Sequence, residues 1–163
     1  SSIVSGNLIT QSGRGIILSN TLNSTISENN IINNTDGILI SDSTFNRIIA
    51  NNITQNRNWG MQLTGTQKNN TIYHNNFINN KDHSQDTEGR NSWDMGNITG
   101  GNYWSGHVAK GNPSHDWPRL IKGGKMDLYP FQDVSGWGAA KPAPSIVAVI
   151  SEEKLLEDRI MKE

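Results

Sequence analysis

The sequence has no cysteine. Disulfides and thiolate metal sites are therefore excluded. Hydrophobic residues make up only 33% of the 163 positions. That is too few for one thick globular core, and a thin core repeated along an axis fits better. Neither sign of charge dominates, the formal net charge being −1. Without a basic stripe there is no electrostatic case for nucleic acid. No stretch approaches the ~20 apolar residues of a membrane span. Acids are nearly absent from the first half: between residues 1 and 81 there are only Glu28, Asp36 and Asp42. The chain opens Ser1-Ser2-Ile3-Val4, with neither an initiator Met nor a signal peptide, which reads as a processed or excised piece.

What is abundant is asparagine, and it is unevenly placed. Eighteen Asn fall in residues 1–80 and four in the remainder. A period search follows from such a bias. Gly15-Ile16-Ile17-Leu18 recurs as Gly37-Ile38-Leu39-Ile40 and as Gly60-Met61-Gln62-Leu63. An apolar residue follows each at Ile26, Ile48 and Ile72, and three positions later come Asn29, Asn51 and Asn75. Then come Asn30-Ile31, Asn52-Ile53 and Asn76-Phe77, with Asn7-Leu8 opening the series. The copies are 22 to 24 residues apart.

Apolar residues alternate over very short runs within each copy, as in Ile16/Leu18, which marks strands with one buried face. Strands this short pair only with their equivalents one copy later, stacked parallel at ~4.8 Å. The expected fold is all-β: a right-handed parallel β-helix of about three and a half coils, roughly 17 Å tall. Four interior columns follow: Ile16, Ile38, Met61; Leu18, Ile40, Leu63; Ile26, Ile48, Ile72; and Leu8, Ile31, Ile53, Phe77. Gly and Asn are expected at the bends because they tolerate positive φ. Stacked Asn29, Asn51 and Asn75 are expected to hydrogen-bond along the axis, with a second ladder at Asn30, Asn52 and Asn76.

Four segments are expected: coils over 1–80, an aromatic, Gly-rich C-terminal cap over 81–133, a linker over 134–145, and a strand and short helix over 146–163. Periodicity stops at Asn80, and residues 81–90 read as an exposed loop. The rings of Trp93, Tyr103, Trp104 and Trp117 then have two uses. As a cap they cover the last coil, since large rings bury much area per residue. As an open platform Trp93, Tyr103, Trp104 and Trp117 would stack on sugar rings. In the tail, Ser151 with Glu152 and Glu153 forms an N-cap with acids in the first helical turn.

The Gly-Ile-x-Leu and Asn-Asn-Ile coils, followed by Asn91-Ser92-Trp93-Asp94 and Gly101-Asn102-Tyr103-Trp104-Ser105, resemble the NosD-like family of right-handed parallel β-helix proteins. The resemblance covers about residues 5–133 and includes Asp127-x-Tyr129-Pro130. It is closest to cell-surface proteins of archaea, especially methanogens. It implies an extracellular or cell-surface, extracytoplasmic location, and links to carbohydrate-binding proteins and sugar hydrolases. The family's name also carries copper. A calcium-like loop often follows the Asn-Tyr-Trp-Ser motif in that family. Here it is Gly106 to Asp116, and only Asp116 is acidic, which is poor for a hard cation.

The candidate chemistry is thin. Asp36 and Asp42 sit at opposite ends of one strand with no acidic counterpart in the next coil, so no carboxylate pair for glycoside hydrolysis forms. Arg14, Arg47 and Arg57 occupy different phases of the repeat. The chain therefore reads as a non-enzyme with no predicted cofactor. The weak metal candidates are His107, His115 and Asp116, for calcium or copper. His83, Met95 and Met126 are further soft donors for copper. Asn23, Asn33, Asn52, Asn69 and Asn97 open N-x-S/T triplets, and Asn69, near a coil corner, is the best glycan acceptor. The expected role is a cell-surface scaffold or assembly subunit. Its partners are other chains, met end to end because a bare first coil needs cover, or through the C-terminal tail. A carbohydrate-binding module or degenerate polysaccharide-active enzyme is the alternative, and a copper-binding accessory protein the second alternative.

Overall fold

The structure is a computed structural model and describes residues 1–138. Four coils are stacked, each made of three short strands. The first holds β1 (Ile3–Ser5), β2 (Leu8–Thr10) and β3 (Arg14–Ser19). The second holds β4 (Thr25–Ser27), β5 (Asn30–Ile32) and β6 (Asp36–Ser41). The third holds β7 (Arg47–Ile49), β8 (Asn52–Thr54) and β9 (Trp59–Thr64). The fourth holds β10 (Thr71–Tyr73), β11 (Asn76–Ile78) and β12 (Asp82–Asp86). Equivalent strands form three parallel sheets, in the orders β1-β4-β7-β10, β2-β5-β8-β11 and β3-β6-β9-β12. The chain is thus an all-β parallel β-solenoid. After the coils come a one-turn helix α1 (Gly96–Thr99), β13 (Tyr103–Trp104), which extends the second sheet beyond β11, and the antiparallel pair β14 (Arg119–Leu120) and β15 (Met126–Asp127). The expected C-terminal helix lies outside the described residues.

Register places the repeat's apolar residues directly above one another. Ile16 pairs with Ile38 and Ile38 with Met61, and Leu18, Ile40 and Leu63 do the same beside them. The column of Ile26, Ile48 and Ile72 begins at Val4. All these side chains from the second coil upward are fully buried. The column of Ile31, Ile53 and Phe77 begins at Ile9, not at Leu8. Leu8 is paired with Asn30 and points outward, 69% exposed. The two Asn-apolar pairs look alike in sequence, but aligning them shifts the register by one residue, and a one-residue shift exchanges the two faces of a strand.

Two further expectations are corrected. Residues 82–86 are not a loop: β12 pairs with β9 and completes the fourth coil. Its inward positions carry Ser84 above Met61 and Asp86 above Leu63, so the backbone repeat continues after the apolar signal has stopped. The bends are also not made by Gly and Asn alone. Glu28, Ala50 and His74 occupy one corner at φ near 57°, and Gln11, Asn33, Gln55 and Asn79 another at 51 to 57°. The left-handed conformation costs a non-glycine residue about 1 kcal/mol. The next residue offsets that cost by hydrogen bonding along the stack. Repeat glycines Gly15, Gly37 and Gly60 have a different cause. A Cβ on Gly37 would lie 2.3 Å from the carbonyl oxygen of Gly60, and one on Gly15 2.6 Å from that of Gly37. Close stacking, not positive φ, requires them.

Candidate functional site

Each corner's left-handed residue is followed by a buried polar one, and these residues form three ladders. In the longest, the backbone N–H and Nδ2 of Asn7 donate to Asn29 Oδ1, those of Asn29 to Asn51, those of Asn51 to Asn75, and those of Asn75 to Asn102, all at 2.9 to 3.1 Å. Each amide also donates to a strand carbonyl of the coil below, as Asn51 does to Ile26 at 3.0 Å. A second ladder runs from the Ser12 N–H through Asn34 and Asn56 to Asn80. A third runs from the Ser24 N–H through Asn46 and Asn70 to Asn91. Asn30, Asn52 and Asn76 make a fourth line on the outer face of the second sheet, half-exposed at Asn30 and Asn52 and buried at Asn76, where it is tied to Ser135.

An Asn ladder leaves its last amide with hydrogens to place. Two of the three ladders end on a buried carboxylate. Asn91 Nδ2 donates to both oxygens of Asp86, each at 3.1 Å, and the Trp93 indole adds a bond at 3.2 Å. The Asn102 N–H donates to Asp127 Oδ2 at 2.7 Å and the Trp104 indole to the same oxygen at 2.8 Å. Asn-x-Trp thus occurs twice, Asn91/Trp93 and Asn102/Trp104, each time with the Asn closing a ladder and the Trp covering its acid. The remaining ladder, the second, ends at His83, whose Nδ1 lies 3.4 Å from Asn80 Nδ2 and whose Nε2 reaches the Ser105 carbonyl at 3.0 Å.

Burial without a counter-cation governs the electrostatics here. It pushes the Asp127 carboxyl up to about 7, against the bonds from Trp104 and Asn102, and the neighbouring Asp94 charge adds to the rise. Burial lowers the His83 imidazole, with the Arg119 charge adding and the Ser105 carbonyl and Asp82 opposing. Burial likewise lowers His74, against its bond to the Thr99 carbonyl.

The four aromatic candidates separate. Trp93 and Trp104 are each 1% exposed, so neither face is open to a sugar. Trp104 stacks on Phe77 with centroids 4.2 Å apart and planes at 6°. Tyr103 is half-buried in β13, and Trp117 is half-exposed. Asn69 is exposed at its corner with φ 56°. Asp36 accepts from Asn58 Nδ2 and the Trp59 N–H, and Asp42 from Thr66, so both join one coil to the next. Sequence reasoning missed Asp86 and the two shorter ladders, and named His83 only as a soft metal donor and Asp127 only within a motif. Asn34, Asn56 and Asn80 were visible as one column of the repeat.

The soft donors do not assemble. His107 Nε2 reaches the Trp117 carbonyl at 2.9 Å, and His115 lies edge-on to Tyr129. Met95 and Met126 are half-exposed on separate elements, at the start of α1 and in β15. Among the described residues there is no group of three His, Cys, Asp or Glu placed to hold a metal. Nor is any described helix long and apolar enough to cross a membrane.

A family model described as periplasmic copper-binding protein (NosD) matches residues 1–112, which is all four coils and the first part of the cap. No curated protein and no solved structure matches the chain. The family's periplasmic description agrees with the extracytoplasmic location that the motifs implied. A parallel solenoid with this match over more than half of its 163 residues is a family assignment: the chain belongs to the NosD family of β-helix proteins.

Proposed function

We propose that this chain is a non-catalytic, extracytoplasmic β-helix module that serves as a scaffold or assembly subunit. One observation carries the reading: most of its buried polar side chains are bonded into the stack and its cap, the unpartnered atoms among the described residues being Thr21 Oγ1, Gln67 Oε1, Arg119 Nε and Trp137 Nε1. Asp86, Asp127 and Asn80 end ladders, and Asp36 and Asp42 join coils. Catalysis needs such groups at an accessible centre with a partner at working distance. Here they hold together a four-coil stack with one covered end. Among the described residues β1, β2 and β3 are paired on one side only, and that edge is a template for an added strand, from further coils of a longer polypeptide or from another chain. A partner strand laid there gains the main-chain bonds of an added sheet edge.

Sedimentation velocity over a hundredfold concentration range tests the reading, together with assays for reducing ends and unsaturated uronates on neutral and acidic polysaccharides. Association that a Val4→Lys, Ile9→Lys variant abolishes, with no turnover, is expected. Turnover would overturn the non-catalytic half, and a strict monomer that forms no complex at that edge would overturn the scaffold half. The family's copper description favours an accessory role instead.

A further inference from the structure

We infer that two histidines of this chain, His74 and His83, are straps between coils and cap, and that its β-helix takes up no copper despite the family's description. The sequence has four His and no Cys, and all four His lie within the described residues. Three of them use Nε2 in the same way, on a backbone carbonyl of the segment that follows the coils. His74 reaches Thr99 at 2.7 Å, His83 reaches Ser105 at 3.0 Å, and His107 reaches Trp117 at 2.9 Å. Two of these bonds span 25 and 22 residues and tie the fourth coil to the cap directly.

A carbonyl bond at Nε2 does not by itself exclude a metal, since ligating imidazoles are commonly held that way. What is missing is convergence, because copper needs two or more nitrogen or sulfur donors aimed at one point. The His83 Nδ1 faces the Asn80 amide at the end of a buried ladder. The His74 ring is stacked on Trp137, with Phe131 and Tyr73 at its edges. His107, His115 and Asp116 share a loop but are not brought together as a group that could hold a metal. Met61 is sealed in the core at 0% exposure.

The test has two arms on the full chain. In the first, the protein is loaded with Cu(II), or with Cu(I) under reductant, then desalted, and metal per chain is measured with the imidazole nitrogen NMR spectrum. Less than about a tenth of an equivalent and unmoved ring signals are expected. Retention near one equivalent with shifted rings would overturn the inference. In the second arm, hydrogen exchange is compared between the native protein and His74→Gln or His83→Gln. Amide exchange about tenfold faster across residues 99–107 is expected when a strap is lost. Unchanged exchange in both variants would refute the strap role, whatever the copper result.

Discussion

Asn102 and Asp127 meet at the top of the longest ladder, with the Asn102 N–H 2.7 Å from Asp127 Oδ2. Every Asn of that ladder below Asn102 donates its N–H and its side-chain amide to the Asn of the next coil, and at the end Asn102 donates to Asp127. The carboxyl is fully buried and sits against Gly101, where a Cβ would fall 1.8 Å from its Oδ1.

Asp127 therefore sets a pH dependence whose sign is fixed. Its folded pKa of about 7 lies above its ordinary 3.8. The native state then binds the proton more tightly than the unfolded chain. Stability is fully present below about pH 4 and falls as pH rises to about 7, by up to ~4 kcal/mol at 1.36 kcal/mol per unit. His83 acts the other way: its lowered pKa means stability is lost as pH falls below its usual 6.5. Urea midpoints of the native protein between pH 4 and 8 carry both opposing slopes. Asp127→Asn should then lose stability towards acid, and His83→Gln towards neutrality. Parallel curves for all three proteins would contradict this.

Asn51 is the ladder residue with most to lose. It is fully buried, accepts from Asn29 twice and donates to Ile26, Ile49 and Asn75. Truncation leaves several buried groups unpaired, each costing about 1–3 kcal/mol. Asn51→Ala is expected to cost roughly 3–6 kcal/mol in equilibrium unfolding. Asn52→Ala, one residue along on the half-exposed outer line, is expected to cost no more than about 1 kcal/mol.

Gly37→Ala should prevent the second and third coils from closing, because the new methyl meets the Gly60 carbonyl oxygen. A melting temperature lowered by more than 10 °C, or failure to fold, is expected, as for other severe overpacking. Gly13→Ala is the control, since nothing lies within 4 Å of its Cβ site. Equal melting temperatures for the two would remove close stacking as the reason for the repeat glycine.

The coils were legible because inward isoleucines recur at the repeat spacing. Ile26 and Ile48, like Ile31 and Ile53, stand 22 residues apart, and each is fully buried. The end of the stack was not legible by the same rule. β12 puts Ser84 and Asp86 at inward positions, so hydrophobicity gave no sign of a strand whose backbone pairing is complete. Trp93 and Trp104 could be recognised as unusual but not placed, since a tryptophan serves equally in a core or on an open face. What decides is the partner of the indole N–H. Those partners are acids 7 and 23 residues away, and no spacing rule connects them. The first coil failed for a smaller reason, the one-residue ambiguity between Asn7-Leu8 and Asn30-Ile31.

Asp86 stands in the column begun by Leu18, Ile40 and Leu63. A further coil of the same kind laid over it would press an isoleucine or leucine onto a carboxylate whose bonds are already taken by Asn91, Trp93 and Gly89. A solenoid has no geometric reason to end, since each turn is a template for the next. Here an inward-facing acid makes the last turn a poor template, so the number of turns is limited by chemistry written into the final one.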